Sequence, residues 1–373
     1  MKTNRYAYFL AAMGHCLFFL SSFSTVRGQN HSSSSGFSEE VVEKIHQNLL
    51  TLDAHNDAPM VLLEHPELSL GIANTLNQVD FIRMKKGGLD GAWFAAYVPQ
   101  GECNTEGYRK ARERVLSMYR MMKNQIEAHP NLAQFVTNPA ACRQAKKMGK
   151  RAVFLGIENG YPLGKDIRFV AFYRNMGFTY ITLCHNKNND LCDSSGDTAR
   201  WNGLSPFGKE VVKEMNRQGM VVDVSHASEK TVSDVLACSK APVIASHSCA
   251  AAIHPHARNL QDEQIQSIAK AGGFIGVCFY KHHLRGEQAT LQDLITHLDH
   301  LIRIAGIDHV GFGSDFDGGG GVIGCTAVDQ MKEITRELLK KGYSEENLRK
   351  LWGENLLRVL DTVQQMAIIN NPS

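Results

Sequence analysis

The feature that most constrains this chain is a regular alternation of short apolar runs with longer amphipathic stretches. Eight runs are rich in β-branched and aromatic residues and have the length of buried strands. These predicted strands are residues 49–53, 91–98, 152–157, 178–183, 220–224, 243–245, 274–279 and 310–313. Runs that are apolar throughout are typical of parallel strands whose outer faces are covered by helices.

Helical patterns separate most of these runs. The predicted helices are residues 109–128, 206–218, 229–239, 262–271 and 291–304, with two more at 327–341 and 344–366. Ser38, followed by Glu39 and Glu40, is typical of a further helix start. Eight strand repeats with no glycine-rich nucleotide fingerprint after the first strand favour a closed (β/α)8 TIM barrel over a doubly wound sheet. The 373 residues suit one such barrel with insertions, and no internal repeat suggests a second domain.

Charge excludes one class of partner. The formal net charge is +2 and the pI is about 8.0, with basic residues scattered along the chain. Nucleic-acid binding requires a clustered basic surface, so we expect no nucleic-acid partner.

The first residues have the order of a secretory signal. Lys2 and Arg5 precede the apolar run 6–23, which polar serines interrupt before a small-residue zone. We therefore predict export to the periplasm or the extracellular space and a soluble mature protein. A retained transmembrane anchor is the alternative, whereas a lipoprotein site at Cys16 is disfavoured by the bulky His15 before it. The predicted divisions are a signal peptide at 1–28, a linker at 29–37, one barrel domain at 38–367 and a tail at 368–373.

The cysteines suggest no metal site of their own, because none falls in a CxxC pattern. Cys184, Cys249 and Cys278 lie in or beside apolar runs and are predicted to be buried free thiols. Disulfides can form in an exported protein. The candidate pair is Cys103 and Cys192, which both lie in loop-like segments.

Residues with metal-binding side chains follow strand after strand. In an extended segment alternate side chains share a face, so His55 and Asp57 at the first strand end point the same way. The other strand ends carry Glu158, His185, His226, His247 and Asp315. Barrel enzymes build their active sites on the rim formed by these strand ends. Imidazole and carboxylate without thiolate suit Zn²⁺, with Mn²⁺, Co²⁺ or Fe²⁺ as alternatives. The donors are too many for one ion, so we predict a pair of ions with Glu158 as the bridging carboxylate.

The chain resembles the membrane (renal) dipeptidases and their bacterial relatives, which are amidohydrolase-like metal-dependent hydrolases, from about Glu39 to Met366. The motifs that carry the resemblance are LDAHND (52–57), GIENG (156–160), YITLCHN (180–186), NGLSPFGKEVVKEMNRQGMVVDVSH (202–226), SHSCA (246–250), HARN (256–259), HVGFGSDFDG (309–318) and WGENLLRVL (352–360). One departure is Lys187, where mammalian members have a cysteine, so the disulfide of that cysteine does not transfer.

The resemblance implies a role for each rim residue. One zinc ion is held by His55 and Asp57 and the other by His226 and His247, and Glu158 and a hydroxide bridge the two. The resemblance further implies that three residues serve the substrate: His185 polarises it, Arg258 pairs with the terminal carboxylate, and Asp315 transfers the proton. Asp317 is the weaker candidate for the role of Asp315, and Asp223 is predicted to be a buried supporting residue.

The implied activity is hydrolysis of dipeptides, including those with a C-terminal D-residue, by a protein expected to form a homodimer. Two alternatives remain open: a related hydrolase acting on a lactone, phosphotriester or β-lactam, and a non-catalytic binding protein on the same barrel. His254, His256, His282 and His283 are interpreted as loop residues, and glycines 318–321 as a flexible turn.

Overall fold

A computed structural model describes residues 37–370, so the predicted signal peptide and most of the predicted linker lie outside the described residues. All the strands within this range belong to one parallel sheet. They are β1 (Leu52–Asn56), β2 (Gly91–Tyr97), β3 (Ala133–Phe135), β4 (Arg151–Glu158), β5 (Phe178–Thr182), β6 (Val221–Asp223), β7 (Ile244–Ser248), β8 (Phe274–Cys278) and β9 (Val310–Gly313). The division into domains stays a prediction.

Helices follow the strands in alternation. They are α1 (Glu39–Asn48), α2 (Ala58–Glu64), α3 (Phe81–Lys86), α4 (Thr105–Ala128), α5 (Pro139–Lys147), α6 (Arg168–Asn175), α7 (Pro206–Gln218), α8 (Glu229–Cys238), α9 (Asp262–Lys270), α10 (Lys281–Leu284), α11 (Leu291–Ala305), α12 (Lys332–Lys340), α13 (Glu345–Arg349) and α14 (Asn355–Asn370). Among residues 37–370, no helix is both long and apolar enough to cross a membrane.

Eight of the strands form a nearly closed barrel in the order β1-β2-β4-β5-β6-β7-β8-β9, while the short β3 pairs only with the start of β4. The first and last strands meet at their carboxyl ends. There the Asp57 amide donates to the Phe316 carbonyl (2.8 Å) and the Asp315 amide to the His55 carbonyl (3.0 Å). The predicted (β/α)8 barrel is therefore confirmed.

The strand register aligns the residues of one rim. Tyr97 of β2 is level with Glu158 of β4, which is level with Thr182 of β5, and Thr182 is level with Asp223 of β6. Because all the strands are parallel, the side chains just beyond these positions converge at a single end of the barrel.

Below that rim the barrel interior is filled with large side chains. The rings of Trp93 and Phe154 stack at 3.9 Å, and the Trp93 indole N–H donates to Thr179 (2.8 Å). Side chains of α14, including Leu357 and Leu360, belong to the same buried cluster. The interior is thus a packed core that supports the rim from below.

The predicted elements agree with the observed ones in type, with differences at the ends. β1 begins at Leu52, three residues later than predicted, so His55 belongs to the strand itself and Asp57 directly follows it. The short β3 was not predicted. The predicted 344–366 helix is divided by a π-helical turn at Lys350–Glu354. The Ser38 helix start is confirmed, because its side chain caps α1.

Candidate active site

The structure gathers the predicted rim residues around one cavity of about 240 Å³. His55 is fully buried beneath this cavity. The cavity is lined by Asp57, Met60, Tyr97, Glu158, His185, Asn186, His226, His247, Arg258, Tyr280, His283, Asp315 and Gly318. The six strand ends therefore converge as the sequence predicts.

Glu158 lies at the centre of the cluster and turns each oxygen to a different group. Its Oε1 is 2.9 Å from Nε2 of His226 and 3.5 Å from Nε2 of His247. Its Oε2 is 3.7 Å from Nε2 of His55, which is itself 3.4 Å from Oδ2 of Asp57. Two donor sets thus share one carboxylate.

The spacing of these atoms fits metal coordination. Two donors held tetrahedrally by one zinc ion at about 2.0–2.2 Å lie about 3.3–3.6 Å apart, close to the distances around Glu158. The two Nε2 atoms of His226 and His247 lie 2.9 Å apart. His55 Nε2 and Asp57 Oδ1 are buried with no hydrogen-bond partner in the described part of the chain, as expected for atoms whose partner is a cation. The donor set therefore fits one or more metal ions.

Each of the three histidines in the two sets is oriented through its other ring nitrogen. Nδ1 of His55 is 2.8 Å from the Tyr180 hydroxyl. Nδ1 of His226 is 3.0 Å from Oδ1 of Asn186, and Nδ1 of His247 is 2.9 Å from Oγ of Ser246. Partners of this kind fix the ring orientation of metal-binding histidines. Of the three partners, none was singled out from the sequence, because a tyrosine, an asparagine and a serine next to strand ends have no distinctive spacing.

Two buried aspartates hold the strands beneath these partners. Asp223 accepts hydrogen bonds from the Ser246 hydroxyl (2.7 Å) and the Thr182 hydroxyl (2.5 Å), which confirms its supporting role. Asp53 accepts from the Ser314 hydroxyl (2.6 Å), joining β1 to the end of β9. The rim geometry is therefore set by bonds between neighbouring strands.

Three residues at the rim have a strained backbone. His226 (φ 68°), Asp315 (φ 58°) and Asn159 (φ 82°) have left-handed conformations that residues with a side chain rarely adopt. Such strain costs about 1–3 kcal/mol for each residue and is concentrated at functional sites. A glycine is required at 318, where an added Cβ would lie 2.1 Å from Oδ2 of Asp57.

Burial and mutual charge shift the pKa values of this cluster. Burial, and next the charge of Asp57, raises the pKa of Glu158 well above its usual range. Burial opposes protonation of His55, but Glu158 and Asp57 outweigh it and raise its pKa to about 10. Burial lowers the pKa of His226 and of His247. The crowded carboxylates repel one another, and a bound cation would relieve that repulsion.

Asp315 and His185 face the cluster from opposite sides. Oδ1 of Asp315 is 3.9 Å from Nε2 of His55, and burial raises the pKa of this carboxyl to about 7. Nε2 of His185 is 3.7 Å from Oε1 of Glu158, and burial lowers the pKa of this imidazole to about 4. Asp317, by contrast, accepts from the backbone amide of Gln78 (2.5 Å) and fixes the loop after β9.

Arg258 closes another wall of the cavity. One guanidinium nitrogen, Nη2, donates to the His247 carbonyl (3.2 Å), which fixes the side chain beside the histidine cluster. Its Nε is buried with no partner among residues 37–370.

Two interpretations from the sequence are corrected. His283 was interpreted as a loop residue, but it lines the cavity, because α10 folds its side chain inward. The suggested Cys103–Cys192 disulfide is absent, and both residues are free thiols. Cys192 lies in a loop that folds into the core, where its thiol adjoins Cys184, while Cys103 stays near the surface. Cys184, Cys249 and Cys278 are buried free thiols, as predicted.

The fold and this cluster together define the class of protein: a (β/α)8 barrel with a candidate metal site at the carboxyl ends of its strands. The model of the membrane dipeptidase family, peptidase family M19, matches residues 39–372. The chain therefore belongs to the membrane dipeptidase family and is a metallo-dipeptidase. This membership disfavours both alternatives that the sequence left open.

Solved structures agree with that membership. The probable dipeptidase PvdM from Pseudomonas aeruginosa is 27% identical with a TM-score of 0.83, over 88% of this chain and 98% of that one. A metallo peptidase from Rhodobacter sphaeroides, liganded with a phosphinate mimic of L-Ala-D-Ala, is 27% identical with a TM-score of 0.78, over 84% of this chain and 99% of that one. The dipeptidase AC, of family M19, is 28% identical with a TM-score of 0.78, over 85% of this chain and 99% of that one.

Proposed function

We propose that the chain is a binuclear zinc dipeptidase that hydrolyses the peptide bond of dipeptides, including those with a C-terminal D-residue. The observation that carries the proposal is Glu158, whose Oε1 faces His226 and His247 while its Oε2 faces His55. Such a carboxylate can offer one oxygen to each of two ions. His55 and Asp57 would complete one zinc site.

His226 and His247 would complete the other zinc site. When bound, the zinc pair would activate a water molecule near neutral pH, and the zinc pair would also polarise the scissile carbonyl of the substrate. Proton transfer falls to Asp315, whose Oδ1 lies 3.9 Å from Nε2 of His55 at the edge of the cluster, where a carboxylate can accept a proton and return it to the leaving amine.

His185 would steady the carbonyl oxygen of the substrate as its charge develops. Its ring is held against Tyr97 in an edge-to-face contact at 4.7 Å, so that Nε2 stays directed at the cluster. The substrate carboxylate would pair with Arg258, since a guanidinium binds a carboxylate through two parallel hydrogen bonds. A cavity that ends at the positive charge of Arg258 favours dipeptides, because a longer peptide bound in the same way would have no carboxylate at that position.

Tolerance of a D-residue has separate support, because the Rhodobacter sphaeroides relative is liganded with a mimic of L-Ala-D-Ala. Export to the periplasm or extracellular space, which rests on the sequence, and homodimer formation, which rests on the family resemblance, remain parts of the proposal. N-terminal sequencing of the mature protein tests export: a start near residue 29 supports signal cleavage, and an intact Met1 contradicts it.

The test of the activity is hydrolysis of matched peptides by the zinc-loaded protein. We expect turnover of L-Ala-L-Ala and L-Ala-D-Ala and none of the tripeptide L-Ala-L-Ala-L-Ala. Arg258→Gln should raise KM for both dipeptides by about tenfold or more, whereas Arg285→Gln, on an exposed side chain, should match the wild type. A wild-type protein that leaves every dipeptide intact would disprove the proposal.

A further inference from the structure

His283 lies in the wall of the active-site cavity, on the short helix α10 that directly follows β8. Only 6% of its surface is exposed. Arg258 and Tyr280 line the same cavity. The residue is thus part of the cavity although none of the proposed catalytic steps uses it.

The position of His283 is fixed on several sides. Its backbone amide donates to the Tyr280 carbonyl (2.9 Å), and its carbonyl accepts from the side-chain amide of Asn259 (2.8 Å). Asn259 is the neighbour of Arg258 in the chain, so this bond ties α10 to the loop that carries the arginine. The imidazole packs against the rings of Tyr280 (4.7 Å) and His256 (4.8 Å).

One ring nitrogen of the held imidazole is an unpaired buried polar atom in the described part of the chain. Nδ1 of His283 is buried without a hydrogen-bond partner among residues 37–370, and the same is true of Nε of Arg258. An unpaired buried polar atom is unfavourable, and most such atoms in native proteins have a partner. Two unpaired groups in one cavity wall therefore indicate a shared polar ligand.

The ligand that suits both groups is an anion. Burial, and next the positive charge of Arg258, lowers the pKa of His283 to about 2, so its ring is neutral and carries one N–H. A neutral donor can lie beside a guanidinium without repelling it. A carboxylate has about four lone-pair sites and two parallel bonds from Arg258 occupy two of them, so sites remain for another donor.

We propose that His283 donates a hydrogen bond to the C-terminal carboxylate of the dipeptide, beside Arg258, and so helps to select substrates with a free carboxyl end. This inference rests on the proposed dipeptidase function. It makes His283 a residue of substrate binding that does not touch the scissile bond.

The test compares His283→Phe and His283→Gln with His282→Phe. His282 is the adjacent residue, its side chain is 42% exposed, and its ring faces Glu287 at 3.2 Å, so it is a matched control. Each zinc-loaded variant is assayed for hydrolysis of L-Ala-L-Ala. L-Ala-L-alaninamide, which lacks the carboxylate, is added as a competitor so that its inhibition constant is measured whether or not it is hydrolysed.

We expect His283→Phe to raise KM for the dipeptide about tenfold, which corresponds to about 1.4 kcal/mol, with kcat changed less than about twofold. The inhibition constant of the amide should stay within about twofold of the wild type. His283→Gln keeps a donor and should recover most of the KM loss, and His282→Phe should match the wild type.

Three outcomes overturn the inference. They are a His283→Phe protein with wild-type KM, an equal loss of affinity for the dipeptide and for the amide, and a His283→Gln protein as impaired as His283→Phe. The last two would show that the ring only packs the wall. If the wild type hydrolyses no dipeptide, the proposed function itself fails, which is a different result.

Discussion

Removal of the Tyr180 hydroxyl tests how His55, a proposed metal ligand, is oriented. This tyrosine is 1% exposed, and its hydroxyl is 2.8 Å from Nδ1 of His55. Gly156 leaves room for the ring, because a Cβ at that position would lie 2.2 Å from it. Tyr180→Phe deletes one oxygen and keeps the packing, so the change isolates the hydrogen bond to His55.

The expected effect is confined to one of the two proposed ions. Without its partner, His55 is no longer held with Nε2 toward Asp57 and Glu158. Loss of a supporting bond of this kind lowers metal affinity about 10- to 100-fold, which is about 1.4 to 2.8 kcal/mol. The ion assigned to His226 and His247 should keep its affinity within about twofold.

The assay is titration of metal-free protein with zinc in the presence of a chromophoric chelator, fitted for two sites. Tyr173→Phe is the matched control, because the Tyr173 hydroxyl is fully buried with no partner among the described residues. Its removal should leave both affinities unchanged and the stability equal or higher. Wild-type affinity at both sites in Tyr180→Phe, or an equal loss in the Tyr173 control, would refute the reasoning.

Two further changes test the carboxylates of the rim and the stability of the core. Gly318→Ala places a Cβ 2.1 Å from Asp57 and 2.7 Å from Asp315, so kcat/KM should fall about 100-fold; an unchanged rate at unchanged melting temperature would contradict this. Burial lowers the pKa of His46 from 6.5 to about 4, although the hydrogen bond to the Gly87 carbonyl acts to raise it. The unfolded state therefore takes up a proton between these values while the native state does not, and up to about 3 kcal/mol of stability is lost as the pH falls from 6.5 to 4. Urea unfolding of metal-free protein measures this loss, and His46→Gln should reduce it; an equal loss in that variant would assign it to other groups.

Much of the fold could be predicted from the sequence because the barrel strands are buried on both faces, and most of them are mainly apolar until they reach the rim. The exceptions have local causes. β3 has three residues and one partner, so its pattern is too short to detect. β1 was placed too early because Leu49 and Leu50 are apolar and buried without belonging to the strand.

The site was predictable to the extent that its residues follow strands directly. Glu158, His226 and His247 lie at or just beyond strand ends. The strand register places the ends of neighbouring parallel strands at the same height on the barrel, so these side chains meet there. His283 was interpreted wrongly because its inward direction depends on the fold of α10. That helix has only four residues, so the sequence pattern does not predict which of its side chains point inward. Tyr180 lies inside a strand and reaches His55 across the barrel, a contact 125 residues apart in sequence.

The central claim is that Glu158 bridges two metal ions, and metal content measured together with activity tests it most directly. The account predicts two equivalents of zinc in active wild-type protein. In Glu158→Gln, one oxygen becomes a neutral amide nitrogen that cannot bind a cation, so the protein should hold at most one tightly bound equivalent and lose at least about 1,000-fold in kcat. A wild-type protein fully active with one equivalent would contradict the account, as would a Glu158→Gln protein that retains two equivalents and wild-type activity.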